Sequence, residues 1–409
     1  MGMLALANFA TVGLGQSLVG DIKLSASNLG PVLFIAIAAP CFLAAVKAAH
    51  KNVIALLLFF NVCALASFAI FMFRFGWDPN LPVLFFQDVE ILFVLLLVWY
   101  ARSSYEEFFA VVKLGTICSV ALSIAYGISQ FGNNKIGIMV FSMDDKSQAG
   151  VLFCCQAYIL LRFFDGFVAR LVAAALVAMS MMTLSRLPAV FLPLFLITIS
   201  VRTRYGFLLA ATTIVGIVTA FVTFGDALTQ LFKVLDRLSS VGQVAGDQAT
   251  SAHLLLIKSA LEMKFSDFWA FFFGTGPGNF SKALTSFPID IHELESLDPA
   301  LVADARVGKA PMHSTPVSLL LDYNLVVFGL LVYLGLRAMR FLARTRHYLD
   351  LLFFATLFGA SMFYSLHNKP YFFLAIATVT VGTLGRAGEE EADARGALPR
   401  PAAGPLPAG

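Results

Sequence analysis

The chain has 409 residues, of which 59% are hydrophobic and 13% are charged, and its formal net charge is +3. A soluble core could not bury so much apolar surface, whereas lipid can solvate it, so the composition excludes a soluble globular protein and favours a membrane protein. The few charges cluster between hydrophobic runs, which argues against a nucleic-acid partner.

Hydrophobic runs long enough to cross a bilayer predict about twelve transmembrane helices. They lie near residues 3–19, 28–47, 52–73, 82–101, 107–128, 147–163, 167–184, 186–200, 206–224, 313–336, 349–366 and 370–386. Helices are expected because lipid offers no water to unpaired backbone groups. The predicted fold class is therefore all-α: a polytopic integral membrane protein with one large, partly helical periplasmic loop.

The orientation follows from basic residues in the short connections after the even-numbered spans. These residues are Lys47, Lys51, Arg102, Arg162, Arg170, Arg202, Arg204, Arg337, Arg340, Arg344, Arg346 and Arg386. Their alternation places both termini in the cytoplasm and the loop 225–312 outside, which in a bacterium is the periplasmic side of the inner (cytoplasmic) membrane. The transmembrane domain then covers residues 1–386, and residues 387–409 have the composition of a disordered cytoplasmic tail.

The long outer loop is expected to be functional, because connections of this length are rarely simple links. Residues 251–265 carry apolar side chains at helical spacing and predict a helix. Gly274, Gly276 and Gly278 alternate in a run that predicts either a tight turn or a nest of N–H groups for an anion. The run is not a nucleotide-binding fingerprint, since no strand precedes it and no Lys-Ser/Thr pair follows.

Arg186 is the strongest candidate for phosphate binding. It ends the run Thr183-Leu184-Ser185-Arg186, where one span reaches the outer surface and the next begins. An arginine there opposes the usual charge bias, and its guanidinium group can bind a phosphate through two hydrogen bonds. The alternative is an arginine that snorkels to lipid headgroups or pairs with a carboxylate.

Lys146 opens the predicted sixth span on the same side and is a second candidate phosphate contact. The preceding residues, Asp144 and Asp145, could be mistaken for metal ligands. However, metal-dependent sugar transferases use nucleotide sugars, and those substrates are cytoplasmic. We therefore expect no metal site and no cofactor.

His313 and Asp322 mark the outer part of the predicted tenth span. An imidazole at a membrane boundary can act as a general base or bind phosphate, although a lone boundary histidine is more often structural. Asp322 is an ionisable group deeper in the span, which suggests a functional residue. Its alternative role is to anchor a neighbouring helix through a hydrogen bond.

These features occur in an order that resembles the O-antigen ligase and polymerase superfamily of bacterial membrane glycosyltransferases. The shared pattern is Thr-x-Ser-Arg at a helix start, a long outer loop with Gly-x-Gly-x-Gly, and His-Ser opening a helix with an acidic residue nine positions on. It covers about residues 183–332. In that family an arginine matching Arg186, a second arginine in the loop and a histidine matching His313 form the site.

The resemblance implies transfer of an undecaprenyl-diphosphate-linked glycan to an acceptor hydroxyl in the periplasm. It implies no metal and no nucleotide sugar. The acceptor is another glycan unit for a polymerase or the lipid A core for a ligase, and a chain-length regulator is a possible further partner beside membrane lipids. Arg186 and Lys146 would stabilise the departing diphosphate, and His313 would deprotonate the acceptor, with inversion at the sugar.

The sequence departs from the family at the loop arginine. The family often has Ser-Gly-Arg at the start of the loop helix, and the matching residues here are Ser251, Ala252 and His253. His253 is therefore expected to donate a weaker, pH-dependent hydrogen bond to the phosphate in place of that arginine. Alternatively, Arg237 or Arg306 supplies the cation from elsewhere in the loop.

Other readings of the sequence are a transporter or flippase for the lipid-linked glycan and an assembly subunit without activity. A transporter should place ionisable residues near mid-membrane and show repeat symmetry, whereas here the polar candidates gather on the outer side. Between the two transferases we favour the polymerase slightly, because the loop arginine is displaced.

Overall fold

The computed structural model describes residues 26–48, 51–76, 94, 96–98, 100–101, 105–130, 146–183, 185, 187–202, 248–288, 291–307, 310, 312–364, 366 and 371–383. Among them 87% are helical and none forms a strand, which confirms the predicted all-helical class for this part of the chain. The predicted spans 3–19 and 206–224, most of span 82–101 and the tail 387–409 lie outside the described residues.

The described helices form three groups along the chain. The first comprises α1 (Ala26–Ala48), α2 (Lys51–Phe75), α3 (Tyr105–Gln130), α4 (Lys146–Phe163), α5 (Phe167–Met182) and α6 (Leu187–Arg202). The predicted outer loop contributes α7 (Gln248–Ser266), α8 (Phe268–Phe273), α9 (Phe280–Ser286), α10 (His292–Leu297) and α11 (Pro299–Arg306). The chain continues with α12 (Thr315–Asp322), α13 (Leu325–Arg344), α14 (Tyr348–Ser361) and α15 (Tyr371–Thr383).

Three of these helices are long and apolar enough to cross a membrane, namely Ile54–Phe75 in α2, Tyr105–Ala125 in α3 and Leu325–Arg344, which is α13. Five shorter apolar segments are Pro31–Cys41, Phe167–Met182, Val190–Val201, Tyr348–Ser361 and Tyr371–Thr383. These apolar helices support membrane association, and the total of about twelve spans stays a prediction.

The predicted tenth span, 313–336, is not one helix, which corrects its predicted boundaries. Helix α12 ends at Asp322, Tyr323 is extended, and α13 begins after Asn324, whose side chain accepts a hydrogen bond from the N–H of Val327 at 2.8 Å. The break forms because the last carbonyl groups of α12 bond to other segments instead of to the next helical turn. Those bonds shape the candidate site described below.

The apolar core has two main parts. One surrounds α4, which is buried along nearly its whole length and packs against α5 and α6, with α14 and α15 alongside. The other joins the loop helices α7, α9, α10 and α11 to α12, and Phe71 of α2 also belongs to it. The described part of the predicted outer loop is therefore a packed helical unit that contacts α2 and α12.

Candidate functional site

Two histidines that the sequence singled out separately lie in direct contact. His253, in the second turn of α7, and His313, just before α12, stack with ring centroids 4.4 Å apart and ring planes 8° from parallel. Both side chains are partly exposed. The structure thus brings the predicted loop residue and the predicted base into one place.

Helices α7 and α12 run side by side in the same direction, and this packing positions the histidines. The histidine pair joins their beginnings, and Lys264 joins their ends: its Nζ donates to the carbonyl of Tyr323 at 2.7 Å. His253 and Lys264 share one face of α7, since eleven residues make about three turns. The same Nζ donates to the carbonyl of Ala270 at 2.7 Å, so Lys264 also fixes α8.

Lys264 is fully buried, and this burial lowers its pKa to about 8, while the carboxylate of Asp322 acts in the opposite direction. Asp322 is itself 2% exposed, and its Oδ2 accepts a hydrogen bond from the Ser318 hydroxyl at 3.0 Å. Asp322 therefore lies inside the interface between helices. This location supports the anchoring interpretation of Asp322, and its contact with substrate stays a prediction.

The start of α12 is held by the segment that follows α14. The N–H of Thr315 donates to the carbonyl of Tyr364 at 3.2 Å, and its hydroxyl donates to the same oxygen at 2.8 Å. The N–H of Leu366 donates back to the Thr315 hydroxyl at 2.8 Å. These bonds link the two cores directly beside His313 and hold that residue at the junction.

The glycine turn contacts the end of α12. The N–H groups of Thr275 and Gly276 donate to the carbonyls of Leu321 and Asp322 at 2.9 and 3.0 Å, and that of Gly274 donates to the carbonyl of Ala270 at 2.9 Å. These three amides are therefore already bonded within the protein. The tight-turn interpretation describes this part of the run, and an anion nest would have to use other groups.

Close backbone approach explains why glycines occupy this turn. Gly274 and Gly276 have φ of +84° and +81°, and Gly278 is also in the left-handed region at +80°. A Cβ on Gly274 would lie 2.4 Å from the carbonyl oxygen of Asp322, and one on Gly276 would lie 2.8 Å from Cα of Phe68 in α2. The turn thus packs closely between α12 and α2, where there is no room for a Cβ at Gly274 or Gly276. A direct role of its glycines in substrate binding stays a prediction.

The corner between α5 and α6 explains the Thr-x-Ser part of the motif. The hydroxyl of Thr183 donates to the Ser180 carbonyl at 2.7 Å, and the Ser185 hydroxyl accepts from the N–H of Leu187 at 3.3 Å. The two side chains thus end one helix and begin the next. A Cβ on Gly150 of α4 would lie 3.3 Å from the Thr183 hydroxyl, so the corner packs on the first turns of α4.

The described neighbours of the two predicted phosphate ligands belong to this corner. Lys146 is the first residue of α4, one turn before Gly150, which lies next to Thr183 and Ser185. Arg186 itself and the side chain of Lys146 lie outside the described residues, as does Arg237. Arg306 is described, and it forms a surface ion pair with Glu295 at 2.8 Å.

A buried ion pair was missed by the sequence analysis. Arg162 of α4 donates to both carboxylate oxygens of Asp350 in α14, at 2.9 and 3.0 Å. The hydroxyls of Tyr158 and Thr383 donate to the same carboxylate at 2.8 and 3.1 Å, so the network joins α4, α14 and α15. Arg162 was interpreted as a topology signal alone. The isolated acidic residue at the start of an apolar helix was the available clue to its partner.

The stacked imidazoles define what the site can do chemically. An imidazole can donate hydrogen bonds to an anion in its charged form and can accept a proton in its neutral form. In the described part of the chain, no group of three or more His, Cys, Asp or Glu side chains could hold a metal ion.

Comparisons with known proteins leave the site to be interpreted on its own geometry. No protein-family model and no curated protein matches this chain.

Proposed function

We propose that this protein is a membrane glycosyltransferase that moves a glycan from a polyprenyl diphosphate to an acceptor hydroxyl on the periplasmic side of the inner membrane. The observation that carries the proposal is the stack of His253 on His313. The resemblance assigned these two residues, from distant parts of the chain, to phosphate binding and proton transfer, and a packed pair of this kind suits both tasks.

In the proposed reaction the acceptor oxygen attacks the anomeric carbon of the donor sugar. His313 takes the acceptor proton as the new C–O bond forms, and the bond from the sugar to the diphosphate breaks. The leaving diphosphate gains negative charge, which Arg186, Lys146 and the charged form of His253 would stabilise. Attack from the face opposite the leaving group inverts the anomeric centre. The step needs no metal and no nucleotide sugar.

The packing of the outer loop supports this assignment of roles. Helix α7 carries His253 near its beginning, and Lys264 holds the end of that helix against the end of α12, whose beginning follows His313. The proposed loop cation and the proposed base therefore belong to two helices that are bound to each other at both ends. Such preorganisation is what an electrostatically stabilised transfer requires, because the charged groups do not have to reorient during the reaction.

We favour a polysaccharide polymerase, with a ligase as the alternative, because His253 stands where the family's loop arginine is expected. A deletion strain separates the two by its glycan profile. Single-repeat product indicates a polymerase, whereas accumulated full-length lipid-linked polymer indicates a ligase. Loss of any periplasmic lipid-linked glycan would instead indicate a flippase and would contradict the proposal.

Complementation of that strain tests the site. We expect His313→Ala and Arg186→Ala to abolish product at normal expression and His253→Ala to lower it about ten-fold or more, as is typical of lost charge stabilisation. His292→Ala is the matched control, since His292 is an exposed histidine of the same loop on α10. Full activity of both His313→Ala and Arg186→Ala would refute the assignment.

A further inference from the structure

Helix α8 carries exposed aromatic side chains although it belongs to the predicted periplasmic loop. Phe268, Trp269 and Phe272 are 64%, 44% and 52% exposed, and Phe265 at the end of α7 is 58% exposed. A contiguous patch of large aromatic residues is unusual on a surface that faces water, and it marks a contact with another apolar phase.

Helix α8 is bound to the end of α2, which is a membrane-spanning candidate. Arg74 of α2 and Asp267 form two parallel hydrogen bonds of 2.7 Å, and Asp267 also caps α8 by accepting from the N–H of Ala270 at 2.8 Å. One end of α8 is therefore fixed in the last turn of α2.

The other end of α8 contacts an earlier part of α2. The hydroxyl of Ser67 is hydrogen-bonded to the carbonyl of Phe273, and Gly276 packs against the backbone of Phe68. Ser67 and Arg74 are about 10 Å apart along the axis, because a helix rises about 1.5 Å per residue. Helix α8 thus lies beside the last two turns of α2 rather than beyond its end.

The surface of α2 at this level is itself apolar. Phe73 is 93% exposed and Leu65 is 53% exposed, as expected for side chains that face lipid. Because α8 lies alongside this stretch, its exposed aromatic side chains are at the same height in the membrane.

The charged side chain of the segment and two of its carbonyl groups are paired, which favours low-polarity surroundings. Asp267 is paired with Arg74, and the carbonyl of Ala270 accepts from Lys264 and from the N–H of Gly274. The carbonyl of Phe273 is bonded to Ser67. These contacts let α8 enter the boundary of the bilayer without an unpaired charge.

We infer that residues 265–273 are embedded in the outer leaflet of the bilayer, where their aromatic rings contact lipid at the boundary between headgroups and acyl chains. Phe and Trp side chains are suited to this boundary. The loop is then anchored to the membrane at the end of α7, the helix that carries His253. The inference does not depend on the proposed chemistry.

Fluorescence quenching of Trp269 tests this placement. Trp77→Phe and Trp99→Phe leave Trp269 as the only tryptophan of the full chain. After reconstitution into vesicles of phosphatidylethanolamine and phosphatidylglycerol, brominated acyl chains should quench it strongly and aqueous iodide should quench it weakly. Strong iodide quenching, or quenching by neither agent, would overturn the inference.

Two tryptophan substitutions in a background that also carries Trp269→Phe calibrate the measurement. Phe73→Trp reports a lipid-facing site on α2, and Ala303→Trp reports an exposed site on α11 in the same loop. Trp269 should behave like the first and unlike the second. Oxidative footprinting of the unsubstituted protein is an independent check: peptide 265–273 should be protected, whereas peptide 291–307 should be oxidised. Equal oxidation of both peptides would contradict the inference.

Discussion

Replacement of Lys264 by methionine tests whether this buried lysine holds α7 and α8 against the end of α12. The ammonium group is fully buried and donates two 2.7 Å hydrogen bonds, to Ala270 and Tyr323. Methionine has a similar length but no donor. The Ala270 carbonyl keeps its hydrogen bond from the N–H of Gly274. The substitution therefore removes mainly the donor to the Tyr323 carbonyl and the cation near Asp322.

The size of the effect follows from these losses. A hydrogen bond from a charged donor contributes about 1.5–3 kcal/mol, and the loss of a cation near a buried carboxylate adds to this cost. Relief from burying the ammonium ion offsets part of this cost. We therefore expect the free energy of unfolding to fall by about 2–4 kcal/mol.

The assay is thermal and denaturant unfolding of the purified protein in detergent. Lys258→Met is the matched control, because Lys258 is an exposed lysine of the same helix, and it should change stability by less than about 0.5 kcal/mol. Asp322→Asn should recover part of the loss in the Lys264→Met background, since it removes the uncompensated carboxylate. Equal stability of Lys264→Met and Lys258→Met would refute the reasoning.

Three further outcomes are expected. Gly276→Ala should destabilise the protein by about 2 kcal/mol or more in the same unfolding assay, because residue 276 has positive φ and the new Cβ would lie 2.8 Å from α2. Gly329→Ala is the control and should be neutral or stabilising, since nothing lies within 4 Å of the added Cβ. Arg162→Met should cost about 3–5 kcal/mol in that assay by removing the guanidinium partner of the buried Asp350 carboxylate; an unchanged midpoint would show that the pair is dispensable. His253→Arg should extend transferase activity to higher pH, since the guanidinium group stays charged, and an unaltered pH profile would contradict a cationic role for His253.

Several features of the fold follow from local sequence patterns. The apolar spacing of residues 251–265 predicted a helix, and α7 covers Gln248–Ser266. The alternating glycines predicted either a tight turn or an anion nest, and all three have the positive φ that a glycine turn requires. Both predictions succeeded because helical periodicity and the need for glycine at positive φ depend on a few neighbouring residues.

The break in the predicted tenth span could not be found in the same way. Asp322 and Asn324 interrupt the hydrophobic run only briefly, and a window long enough to detect a membrane span passes over them. The carbonyls at the end of α12 are bonded to the glycine turn and to Lys264. These partners lie in residues 264–276, far away along the chain. Hydropathy reports how apolar a segment is and carries no information about which distant donors compete for its backbone.

Some features of the candidate site are likewise visible in the sequence, whereas others depend on how the helices pack. The sequence by itself determined the membrane class, the helical loop and the two histidines as separate candidates, because composition and local motifs reveal these properties. Only the tertiary structure decided that His253 and His313 stack and that Lys264 is buried between α7 and α12. The physical reason is that such contacts depend on how helices pack, and packing is settled by side-chain shape and buried hydrogen bonds over the whole chain.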